Sequence, residues 1–370
     1  MLQLTRQKKT EGAVGLDIEA GSIAAAELKG ANSSQLVGAA VEPLAAGAFQ
    51  EGEVTDPESL TEALKSFFSK HKLSKRVRLG IGNQRVVVRM LRLPAIEDPK
   101  EMEAAVRFQA QEQIAMPLDQ AVLEHQVVGG VAAEEGAAPQ VDVVVVAARR
   151  DMVSSFLEPI RRAGLEPVGV DLSAFGMIRA LAGVGAIAQN GDGADAEATV
   201  ELAARPEEAV LYCKVGDSMN LAVARGRACL FTRVSSAGLA GIAARLGGER
   251  GLSPEHATQW LTHVGLDAGL EEVEGEPETV AAARRALEEG VTGLVDELRL
   301  SLDYYRAQES VVPVGRVVLC GAGSTIPGLP QRMEEGLGLP IAVSRPPALG
   351  GYEDVEAARL VLPYGLALES

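Results

Sequence analysis

Twice in this chain an apolar run stops at a glycine-bearing turn and a second apolar run begins at once. Residues 14–18 read VGLDI, 19–22 EAGS and 23–28 IAAAEL; in the second half, 209–215 read AVLYCKV, 216–218 GDS and 220–224 NLAVA. Apolar runs broken by glycine turns predict strand–turn–strand hairpins. One such unit in each half, with strands and helices mixed between, predicts a duplicated α/β architecture of two lobes. The length of 370 residues agrees, since single cores stop growing near ~250–300 residues. The hinge between two lobes is a usual place for a ligand.

Helix starts are marked by a capping residue followed by proline: Asp56-Pro57, Asp98-Pro99 and Ser253-Pro254. The cap accepts the free N–H groups of the first turn, and proline suits a position that needs no donor. Leu60, Ala63, Leu64, Phe67 and Phe68 recur at helical spacing after the first, and Ala257, Trp260, Leu261 and Val264 after the third. Further helices are predicted over 151–163, 174–181, 281–308 and 329–337, and strands over 77–82, 86–93, 122–128, 141–148, 167–171 and 317–320. The nearly all-valine run 141–148 reads as a strand covered on both faces. Residues 129–140, 189–197 and 271–278 read as loops, the second with the composition of a domain boundary.

Charge and cysteine content narrow the function. Thirty-five Lys and Arg stand against 51 Asp and Glu, a net charge of −16, which repels a phosphate backbone and argues against unspecific nucleic-acid binding. No apolar run nears the ~20 residues of a membrane helix, and no signal core follows the basic residues Arg6, Lys8 and Lys9, so a cytoplasmic chain is expected. Cys213, Cys229 and Cys320 form no CxxC and suit buried thiols. His256 and His263 share a helix without a third ligand and suit surface roles.

Five segments in register resemble the PilM family of type IV pilus assembly proteins: residues 15–30, 47–67, 92–129, 145–181, and 298–308 continuing into 317–346. The resemblance implies an actin-like (ribonuclease H-like, duplicated) two-lobed α/β fold, with a small α+β subdomain inserted in the first lobe as in FtsA. The first lobe would comprise residues 1–85, 167–190 and 346–370, the insert 86–166, the second lobe 198–236 and 290–345, and its small helical subdomain 237–289. The family implies a cytoplasmic scaffold, peripheral to the inner membrane through its partners, that holds the N-terminal cytoplasmic tail of a PilN-like membrane protein. The tail's groove would lie between the first lobe and the insert, with no groove residue assigned.

Actin-like proteins cradle ATP with two glycine hairpins around the phosphates and a third glycine turn at the adenosine, acids beside the hairpins placing magnesium. On that pattern the nucleotide-site candidates are Asp17, Gly21 and Ser22 in the first hairpin, Lys214 and Gly216 in the second, and Gly321, Gly323 and Ser324 in the third. The first hairpin departs from the motif: Glu19 stands where a glycine lets phosphate approach, and Ala24 where the motif has lysine. Like charges at such range repel by ~1 to 4 kcal/mol near a surface. In the second, Lys214 replaces the acid, leaving Asp17 or Asp217 as the metal candidates. Hydrolysis and magnesium are therefore not expected; Lys214 could stand in for the metal and allow metal-free ATP binding, or Asp17 could simply cap turn amides. Two rivals are a functional ATPase whose lobe closure controls pilus assembly, and an FtsA-like filament-forming tether, which would call for a C-terminal amphipathic helix.

Overall fold

The computed structural model describes residues 12–30, 33–131, 138–183, 208–308 and 311–368. The basic N-terminal residues, the boundary at 189–197 and residues 132–137 of the 129–140 loop lie outside them. Strands β1 (Val14–Ile18), β2 (Ser22–Leu28) and β3 (Leu36–Pro43) form an antiparallel meander. A small hairpin, β4 (Phe49–Gln50) and β5 (Glu53–Val54), leads to α1 (Pro57–His71), and β6 (Arg76–Ile81) returns parallel to β1. Next come β7 (Val87–Pro94), α2 (Pro99–Gln113), β8 (Ala121–Val131) and β9 (Gln140–Arg149). Helix α3 (Arg150–Arg162) then leads to β10 (Glu166–Leu172), parallel to β6, and α4 (Ser173–Leu181).

The second half repeats the plan. β11 (Ala209–Val215), β12 (Met219–Arg225) and β13 (Ala228–Ser235) form the meander. Helices α5 (Leu239–Arg250), α6 (Pro254–Val264) and α7 (Pro277–Arg306) follow, then β14 (Val314–Cys320), α8 (Leu329–Leu337), β15 (Ile341–Val343) and α9 (Asp354–Ala367). The sheet orders are β3-β2-β1-β6-β10 and β13-β12-β11-β14-β15. Pairing senses match strand for strand, so the two lobes are one design used twice. A separate sheet, β7-β9-β8, is set between β6 and β10 in the chain.

The local signals act as their chemistry requires. Asp56 accepts from the N–H groups of Glu58 and Ser59, Asp98 from those of Lys100 and Glu101, and Ser253 from that of His256, each ahead of a proline. Strand β9 is covered on both faces at its middle, where Val143, Val144 and Val145 are all buried. Val143, Val145 and Ala147 pack on α2 through Met102, Val106 and Ala110. On the other face Val144 and Val146 border a cavity. A valine run marks a strand but does not say what covers each side.

Between the two five-stranded sheets lie α4 and α9. Met177, Ile178, Leu360 and Leu362 pack there against Val210, Tyr212 and Ala222 of the second sheet and Ala26 of the first. The helices approach at Gly176 and Gly365, where a side chain on Gly365 would begin 1.8 Å from the Gly176 carbonyl oxygen. Arg179 Nε donates to that turn at the Gly365 carbonyl (2.9 Å), and Arg78 donates to the carbonyls of Leu366 and Leu368. A Gly365→Ala substitution should therefore destabilise the protein by about 3 kcal/mol, the upper range of overpacking, because backbone cannot yield as a side chain can. The urea midpoint measures it, and an unchanged midpoint would contradict this packing.

Candidate functional site

The two long hairpins meet at the lobe boundary. Each brings a turn to the same place because β1 and β11 lie centrally in equivalent sheets. Across the boundary, Lys214 Nζ lies 2.5 Å from Asp17 Oδ2 and 3.1 Å from Glu19 Oε1. The Gly21 N–H donates to Asp217 Oδ2 at 2.8 Å. Glu19 lies over Gly216, where an added Cβ would sit 2.1 Å from Oε1. The third turn closes on the second: Gly321, at φ +84°, leaves room for the Lys214 stem, 2.9 Å from where its Cβ would be, and Gly323 faces Val215. Ser324 is buried, its hydroxyl donating to the Gly321 carbonyl at 2.7 Å. Ser22 is buried at the start of β2.

All the candidates from the sequence thus converge, and they engage one another. Burial opposes the Lys214 charge, but the attraction of Asp17 and Glu19 and their hydrogen bonds outweigh it and raise its pKa, so the ammonium keeps its proton. Burial pushes the Asp17 carboxyl above its ordinary range; Lys214 pulls it back only in part, and Glu19 pushes it up again. Asp217 rises for the same reasons, burial first and then the Glu19 charge, against weaker lowering by the Gly21 N–H and by Arg359 of α9.

Two carboxylates on one ammonium, with Asp217 beside them taken by the Gly21 N–H, are the wrong chemistry for a triphosphate, which needs N–H donors and cations facing it. The arrangement does not fit magnesium-ATP as it stands. Glu19 covers the glycine a phosphate would approach, and the ammonium proposed to replace magnesium is taken by Asp17 and Glu19. Among the described residues no group of three His, Cys, Asp or Glu is placed to hold a metal. Beside Ser324 and Thr325 the space is about 20 Å³, enough for one water.

The three cysteines are free and buried, with burial pushing the Cys229 and Cys320 thiols up to about 12. The His263 ring contacts the Glu274 carbonyl at 2.8 Å, and His256 is exposed. A groove of about 540 Å³ runs between α4 and the β8–β9 face, with Phe175 and Ile178 on one side, Val144, Val146 and Val127 on the other, and Arg227 at one end.

A family model for the type IV pilus assembly protein PilM matches residues 15–368. The chain belongs to the PilM family. It is similar to a solved PilM–PilN type IV pilus biogenesis complex, with 25% identity, 97% of this chain and 98% of that one covered, and a TM-score of 0.73. It is also similar to the ethanolamine utilization protein EutJ from Carboxydothermus hydrogenoformans, at 13% identity, covering 96% and 89%, with a TM-score of 0.51, a likeness of fold alone. The fold is the two-lobed actin-like one.

Sequence reasoning did not single out Arg359, or Asn220, which is buried at the lobe boundary against Gly82. The signal for Asn220 was its place as the one polar residue in 219–224. Asp217 gives the site a pH signature. Its folded pKa is raised above the ordinary 3.8, so the fold binds its proton more tightly than the unfolded chain does. The stability this gives is full below 3.8 and lost as pH rises through the folded value. Asp217→Asn keeps an acceptor for Gly21 and removes the charge. It should raise stability at pH 7, an advantage that shrinks as pH falls toward 3.8. Denaturant titrations at the two pH values check this, and a variant less stable at pH 7 would refute it.

Proposed function

We propose that this chain is a non-catalytic adaptor of a type IV pilus inner-membrane platform, holding the N-terminal cytoplasmic tail of a PilN-like protein. The observation that carries the role is family membership together with similarity to a PilM–PilN complex over nearly the whole of both chains. The tail's site in this reading is the groove between α4 and the β8–β9 face. Its walls mix apolar side chains with charged ones such as Glu124, Asp171 and Arg227, and β8 and β10 are sheet edges beside it, with Val168 and Val170 exposed on β10. An extended tail can add to such an edge through backbone hydrogen bonds while its side chains fill the groove. No helix among the described residues is long and apolar enough to cross a membrane; the membrane contact is assigned to the partner.

The same reading treats the nucleotide cleft as closed by the protein itself, with Lys214 bridging lobes that a nucleotide would otherwise bridge. It groups 1–85, 167–190 and 346–370 as one lobe, 86–166 as the insert, and 198–236 with 290–345 as the other lobe, 237–289 its helical part. The test is calorimetry with a synthetic peptide of the partner's tail, with and without magnesium-ATP. Binding should be equal in both, and Phe175→Asp, which puts a charge among the groove's apolar side chains, should weaken it at least about tenfold. A peptide that binds in neither condition would end the adaptor reading; binding that needs ATP would restore the ATPase.

A further inference from the structure

A second cavity, also about 540 Å³, shares no lining residue with the tail groove. It lies between the end of β6 and the start of β7 on one side and β13 with α7 on the other. Both flanking strands are sheet edges among the described strands: β7 pairs only with β9, and β13 only with β12. Each therefore has a row of backbone groups that its own sheet leaves unpaired. Inside, Asn220 is 94% buried, being 6% exposed, and its Oδ1 has no hydrogen-bond partner. Its neighbours are satisfied: Asn83 donates to the Gly52 carbonyl and accepts from Arg85 N–H, and Ser235 donates to Glu297. An orphaned buried acceptor is costly, so an N–H donor arriving in the cavity relieves it.

The rim has the opposite sign to the chain. Arg89 is exposed and makes no ion pair among the described residues, its guanidinium donating only to the Val88 carbonyl. Arg233 shares Glu297 with Ser235. Tyr304 and Leu300, half exposed on α7, extend an apolar shelf beside them. In a molecule of charge −16 this is a local site for a negatively charged ligand. A ligand that supplies N–H groups, pairs with an open strand edge and carries acid to arginines is an extended acidic peptide.

We infer that the β7–β13 cavity is a second docking slot, for an extended acidic segment of a partner protein that pairs with the β13 edge and reaches Asn220, on the next strand, with a side-chain N–H. The two slots would let one adaptor hold two partners at once, one on each side of the insert.

The experiment is selection of a random decapeptide display library on the full chain, followed by binding and hydrogen exchange with the enriched peptides. Enrichment in Asp and Glu is expected, with amides of 231–235 protected on binding. Arg89→Glu should reduce affinity at least about tenfold without altering binding of the tail peptide. Asn220→Leu should weaken the acidic peptide by about tenfold while leaving the melting temperature equal or higher, since it removes an orphan acceptor; a purely structural amide would lower it. Failure of the library to enrich acidic peptides, affinity unmoved by Arg89→Glu, or loss only in Phe175→Asp would each overturn the slot. The acidic-peptide results do not depend on the tail peptide binding.

Discussion

A charged ammonium in the dry centre of a protein must have its hydration replaced, and around Lys214 the replacement comes from the opposite lobe. Asp17 and Glu19 sit on the first hairpin and Lys214 on the second, so the ion pairs that make the charge tolerable also fix how the lobes meet. Breaking one side of such a buried pair commonly costs ~3–5 kcal/mol, because a charge is left uncompensated. Well-packed apolar side chains can do as well as an intact pair. What the charges add is position: an ammonium between two carboxylates tolerates little displacement, whereas a greasy contact can slide. The second tie, Gly21 N–H to Asp217, restrains the neighbouring turn the same way.

Under this polar tie lies the apolar layer of α4 and α9, and the two depend on each other. The Gly176–Gly365 approach lets the helices sit close enough for both sheets to pack on them. That spacing sets how far Lys214 must reach. The stem of Lys214 passes the third turn where Gly321 has no side chain, so three turns that in an actin-like ATPase surround a nucleotide here surround a lysine.

Much of this was legible in the chain. The hairpins, the Asp-Pro and Ser-Pro helix starts and the glycine turn at 321–324 rest on local chemistry, and local chemistry reads well from sequence. The last helix did not read as one. In residues 354–367 apolar side chains point every way and Pro363 and Gly365 interrupt them, because the helix is enclosed by both lobes and has no solvent face to create a period. The pairing of Lys214 with Asp17 spans 197 residues, and no spacing rule reaches that far. The motif comparison could say that Lys214 was the wrong residue for magnesium. It could not say that the ammonium would be spent on Asp17 and Glu19 rather than offered to phosphate, since that is decided by which rotamers fit between two packed sheets. Asn220 stayed hidden for a related reason: a single polar residue in a buried strand is ordinary until its partner is looked for and not found.

Both cavities draw their walls from both lobes. The groove beside α4 has Phe175 and Ile178 from the first and Arg227 to Cys229 from the second; the other has Asn83 from the first and Asn220 and Arg233 from the second. Their widths therefore follow the angle between the lobes. Here Lys214, Asp17 and Glu19 tie the lobes together from within the chain, and on the adaptor reading the grooves are formed before any partner arrives. A preformed groove avoids the ordering cost that a flexible one meets on binding. On the adaptor reading proposed above, one substitution pattern accounts for both the lost phosphate chemistry and the preformed grooves: Glu19, Ala24 and Lys214, where the motif has glycine, lysine and acid, put an ion pair between the lobes in the place of a nucleotide, and a hinge tied in that way suits a scaffold.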